Sequence, residues 1–168
     1  MTIPQMKQLR SRLDESGARR ALVRGANPPP RPPETVTVEP SVTASVGPDG
    51  RRAPLYVTAE APSGRTVRRY DGTDATAAAD CAADLTADRD PQEVWLCERD
   101  QIRSWWGDGV VALLERRLAT AARRADARPV VWTSETDGAD GDGTGETGGD
   151  GTGRDEAVED RYDVVLDL

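Results

Sequence analysis

Alternation of apolar and polar residues is clearest between residues 35 and 70. Val36 and Val38 alternate with polar neighbours, as do Val42, Ala44 and Val46. A period of two marks a half-buried strand. GPDG at 47–50 supplies a turn, Leu55 to Ala61 the next strand, Ser63-Gly64 a second turn, and Thr66 to Tyr70 a further strand closed by Asp71-Gly72. The pattern is that of an antiparallel meander.

Helical periodicity lies on either side of it. Residues 4–15 read as a helix: Ile3, Met6, Leu9 and Leu13 recur at helical spacing, with Pro4 in the first turn and Ser16-Gly17 at the end. Residues 74–87 are alanine-rich, with Thr73 or Asp74 as N-cap and a small apolar side of Ala77, Ala78, Cys81, Ala82 and Leu85. A short helix is expected over 101–106, with Asp100 as its cap. The strongest helical pattern is 110–125, with Val111, Leu114, Leu118, Ala121 and Ala125 on one face. Three shorter apolar runs read as strands: EVWLC at 93–97, PVVWT from Pro129, and RYDVVLDL at the C-terminal end. Ala21, Leu22 and Val23 fit either a short strand or a helical turn.

Two stretches resist both patterns. NPPPRPP at 27–33 lacks amide donors and has fixed φ, so it reads as a stiff polyproline linker. Residues 136–156 are almost all Gly, Asp, Thr and Glu, too polar to offset chain entropy by burial, and read as a disordered loop. The organisation expected is a basic helical segment at 1–26, a linker at 27–34 and a core at 35–135. An acidic loop at 136–157 and a strand at 158–168 returning to a sheet edge follow. The fold class expected is α+β: a mixed or antiparallel sheet of five or six strands packed against two main helices. Trp95, Trp105, Trp106 and Trp132 would supply its aromatic core.

Charge adds a habitat and removes chemistries. The chain has 30 acidic and 22 basic residues, and Lys7 is its only lysine. An acidic, lysine-poor surface resembles the composition of proteins from salt-loving archaea, in which carboxylates keep the surface hydrated. A GC-rich genome accounts equally well for arginine in place of lysine. The absence of histidine excludes Ser-His-Asp and Cys-His nucleophile systems and histidine-held zinc or iron. Schiff-base chemistry would rest on Lys7 alone. No Walker-type or dinucleotide-binding glycine motif occurs. No apolar run approaches membrane-spanning length, no signal-peptide pattern opens the chain, and Cys81 and Cys97 make neither a disulfide framework nor a metal knuckle. A cytoplasmic, non-enzymatic protein without cofactor or metal is expected.

The charge is also segregated. Residues 1–31 hold seven basic and two acidic groups, residues 32–133 thirteen and sixteen, and residues 134–168 two and twelve. Arg19 and Arg20 belong to the basic head. Arg116, Arg117, Arg123 and Arg124 are pairs seven residues apart on the long helix, extended by Arg128. Such stripes can track phosphates, and a solvated helix face is the plainer alternative. Glu98 and Asp100 at a strand end have the form of a magnesium pair, but the lysine that usually accompanies it is missing. DGADGDGTGETGGDGTG at 137–153 departs from both the EF-hand and the nonapeptide calcium repeat, which leaves a spacer. Trp105-Trp106 cannot enter one core equally, since adjacent helical side chains diverge by about 100°. One of the two is a candidate partner-contact anchor.

The function expected first is an interaction or assembly protein of a halophile, in the manner of a virus or mobile-element component, with a protein partner or its own copies. The alternative is a nucleic-acid-binding accessory or regulatory protein that uses the arginine patches.

Overall fold

A computed structural model describes residues 3–25, 34–41, 54–61, 64–70, 74–134 and 161–167. Its elements are α1 (Ile3–Ser16), β1 (Ala21–Arg24), β2 (Thr35–Pro40), β3 (Leu55–Ala61), β4 (Gly64–Tyr70), α2 (Ala75–Arg89), β5 (Glu93–Leu96), α3 (Arg99–Trp106), α4 (Asp108–Arg124), β6 (Arg128–Thr133) and β7 (Val164–Asp167). The fold is α+β around one mixed sheet, in the order β4-β3-β2-β5-β6-β1-β7.

The expected meander is present as β2-β3-β4, paired antiparallel from Val36↔Ala59 to Ala61↔Gly64. The rest of the sheet is parallel: β2 with β5, β5 with β6, β6 with β1, and β1 with β7. Parallel neighbours need a long crossover between them, usually helical. Here α2 leads into β5, and α3 with α4 joins β5 to β6. The central strands β5 and β6 are covered on both faces, so VWL and VVW read as unbroken apolar runs where the meander alternates.

Side-chain alternation divides the core into two clusters. One gathers Leu22, Val36, Val38, Leu55, Val57, Val94, Leu96 and Val131 against Ala78, Ala79 and Ala82 of α2 and Val111, Leu114 and Leu118 of α4. The alanine face of α2 costs little side-chain entropy and permits close packing. The other cluster joins Leu9 and Leu13 of α1 to Ala21, Val23, Trp95, Val130, Trp132 and Leu166. At Gly107 the chain turns from α3 into α4 with φ of 85°, a left-handed value that glycine adopts without a Cβ clash.

The count differs from the sequence expectation. Seven strands and four helices stand among the described residues, where the pattern gives five or six strands and two main helices. The added strand is β1, only four residues long, too short for periodicity to separate strand from helical turn. Hydrogen bonding to β6 on one side and β7 on the other decides it. The basic N-terminal segment therefore enters the same sheet as residues 35–135. The C-terminal strand lies at the sheet edge, as β7. One cap is placed as expected and one differs. Asp74 is at the N-cap of α2 but makes no side-chain cap bond. Glu98 takes the N-cap position of α3, at φ of 54°, and Asp100 lies in the first turn, where its charge favours the helix dipole. The strand expected from Val42 to Val46, the turn at 47–50, the linker at 27–33 and the acidic loop at 136–157 lie outside the described residues. No described helix is long and apolar enough to cross a membrane.

Candidate functional site

The two arginine patches meet. A cavity of about 850 Å³ is lined by Arg19 and Arg20, by Arg116, Thr120 and Arg123 of α4, and by Arg128 at the start of β6. Gln92, just before β5, and Asp163, just before β7, also reach it. It thus sits where four parallel strands begin, roofed by the C-terminal half of α4. Five guanidiniums face two carboxylates there, Asp126 and Asp163, within a chain of net charge −8.

The contacts of these arginines differ. Arg128 is held by Asp14 at 2.9 Å and lies 3.8 Å from Glu93. Arg19, Arg20, Arg116 and Arg123 have no carboxylate within ion-pair distance among the described residues. Asp163 is engaged elsewhere: its Oδ2 accepts the backbone N–H of Arg19 at 2.8 Å and of Arg20 at 2.9 Å. That pair of bonds fixes the loop entering β1 and occupies one oxygen of the Asp163 carboxylate. Arg123 and Arg124 also complement the negative end of the α4 dipole, worth about 0.3–1 kcal/mol each. The dipole gives no such reason for Arg19, Arg20 or Arg116.

The helical stripe is split by the 100° step between neighbours. Arg116 and Arg123 face the cavity. Arg117 turns to α2 and pairs with Asp80 at 2.9 Å. Arg124 is exposed and outside the lining.

A second cavity, of about 140 Å³, shares Arg20, Arg116, Ala119 and Pro129 with the first. It is bounded also by Ala112, Glu115, Val131, Arg161 and Tyr162. Beside it, Nε of buried Arg99 donates to Oε1 of Glu115 at 2.5 Å. Burial alone would depress the Arg99 guanidinium, but the Glu115 charge and hydrogen bond outweigh it and the net shift is upward. Tyr162 is pushed up as well, first by burial and then by the Glu115 carboxylate. Glu115 is thereby committed to structure, and it offsets none of the cleft arginines by a direct ion pair. Nothing in the sequence pattern marks Arg99 or Tyr162, since their partners are brought in from α4 by the fold.

Glu98 and Asp100 are each engaged by other side chains. Asp100 lies 3.4 Å from Arg99 and 3.3 Å from Arg103, which neutralise it. Glu98 accepts from Ser134 at 3.2 Å and is raised above the usual carboxylate range, chiefly by burial. Among the described residues no group of three potential ligands can hold a metal. Trp106 is buried in the larger core cluster, and Trp105 is half-buried against it, with ring centroids 5.9 Å apart at 75°. Cys81 and Cys97 are free thiols.

No family model matches the chain, and neither a curated protein nor a solved structure matches it.

Proposed function

We propose that the protein binds nucleic acid through the arginine cleft, as an accessory or regulatory protein and without catalysing a reaction. The observation that carries this is the convergence of Arg19, Arg20, Arg116 and Arg123, from two distant parts of the chain, around one cavity, with no carboxylate among the described residues paired to any of them. Like charges gathered this way repel, and solvent screens the repulsion without removing it. A polyanion converts that repulsion into attraction and gains further from counterion release. Guanidiniums suit the role because their planar donors match phosphate oxygens in pairs. The assembly reading remains the alternative. Half-buried Trp105, at the end of α3 and two residues before exposed Gly107, offers a contact point away from the cleft.

Labelled DNA and RNA, titrated with the wild type and with Arg19→Gln/Arg20→Gln, separate the two readings. Binding at low salt that the double change weakens at least ~10-fold supports the cleft, since each lost phosphate contact removes electrostatic free energy. Absence of nucleic-acid binding, together with a protein captured from native lysate by the wild type and lost with Trp105→Ala, overturns it in favour of assembly.

A further inference from the structure

We infer that the cleft takes a single strand, DNA or RNA, in preference to an intact duplex; this rests on the nucleic-acid reading above. Size is the first ground. A volume of about 850 Å³ belongs to the roughly 300–1,000 Å³ class of pockets that enclose small ligands. A duplex whose major groove alone is about 12 Å wide cannot enter such a space and would touch only its rim. A few linked nucleotides can enter.

The layout of the walls is the second ground. Arg116 and Arg123 are seven residues apart, so they stand roughly 10.5 Å apart along one side of α4. Arg19 and Arg20 come from the loop before β1, in the same lining. A backbone threaded between helix and loop meets guanidiniums from both, whereas a duplex lying over the opening would meet the exposed ends of one set at a time. The third ground is the smaller cavity that adjoins at Arg20 and Arg116. Ala112, Ala119, Pro129, Val131 and Tyr162 give it apolar surface beside the arginines. An unpaired base has a face to lay on such surface, while a paired base in a duplex has its faces already stacked. Charge along a groove with an aromatic or apolar platform beside it is the usual physics of single-strand binding.

The test is fluorescence anisotropy at one fixed salt concentration. The ligands are a 12-nucleotide single strand as DNA, the same sequence as RNA, and the matching DNA duplex. The proteins are the wild type, Arg116→Gln/Arg123→Gln, and Arg117→Gln/Arg124→Gln. The last pair removes the same charge from the same helix but outside the cleft lining. All four are exposed, so neither variant removes a core contact. The expected result is single-strand binding ~10-fold or more tighter than duplex, a loss of ~10-fold or more in the first variant, and a change under ~3-fold in the second. Duplex bound as tightly as single strand, with the same dependence on Arg116 and Arg123, overturns this inference and leaves the nucleic-acid reading standing. Equal losses in the two variants overturn the cleft as the site. No binding of any of the three ligands overturns both.

Discussion

Tyr162 shows how one residue ties the C-terminal strand to the interior. Its phenol is partly buried beside Glu115 and Arg99, and both burial and the Glu115 carboxylate raise it above the ordinary value of 10.0. Tyr70 is raised to about 12, first by its hydrogen bond with Cys81 and then by burial. In both cases the neutral phenol is the form the fold favours. Their stabilisation is therefore fully present below pH 10 and is lost as pH rises through the higher folded-state values. The melting temperature should fall above about pH 10 more steeply for the wild type than for Tyr162→Phe, which has no proton to lose. Superimposable alkaline profiles would show that Tyr162 is not held as described. None of this was legible in the sequence. Tyr162 lies 47 positions from Glu115 in the chain, and only the return of β7 beside β1 brings them together.

Elements were legible where a pattern was long. The 17 residues of α4 and the 15 of α2 leave clear helical periods, and the meander announces itself by alternation and turn residues. Ala21–Arg24 gave too little: four residues satisfy either period, and partner strands β6 and β7 supply the deciding hydrogen bonds. For the same reason α1 reads in the sequence as an appendage, although its apolar stripe closes one face of the sheet. Leu13 is 1% exposed and packs in the cluster that includes Trp132. Leu13→Ala should cost about 2–5 kcal/mol, the ordinary penalty for a large-to-small change in a packed core. Chemical denaturation measures it. A loss below about 0.5 kcal/mol, the range of surface changes, would mean that α1 is detachable after all.

At the scale of the whole molecule, charge is the organising feature, and the sequence revealed its segregation but not its geometry. The helix stripe was visible, yet half of it points away: Arg117 pairs with Asp80 while Arg116 and Arg123 line the cleft. Arg19 and Arg20 were visible as a separate patch. Their approach to α4 depends on β1 lying next to β6, a pairing no local pattern encodes. The net charge of −8 belongs to the chain as a whole, and under the proposed function a polyanion would be drawn to the arginine cleft against that overall repulsion.

The salt dependence of single-strand binding tests the cleft most directly. For single strands the slope of log affinity against log salt is about −0.7 per phosphate neutralised. Titrations from about 50 to 200 mM KCl should give a clear negative slope for the wild type. Arg116→Gln/Arg123→Gln should flatten it by roughly 1.4, the share of two phosphate contacts. An unchanged slope in that variant, or wild-type binding indifferent to salt, would contradict the account.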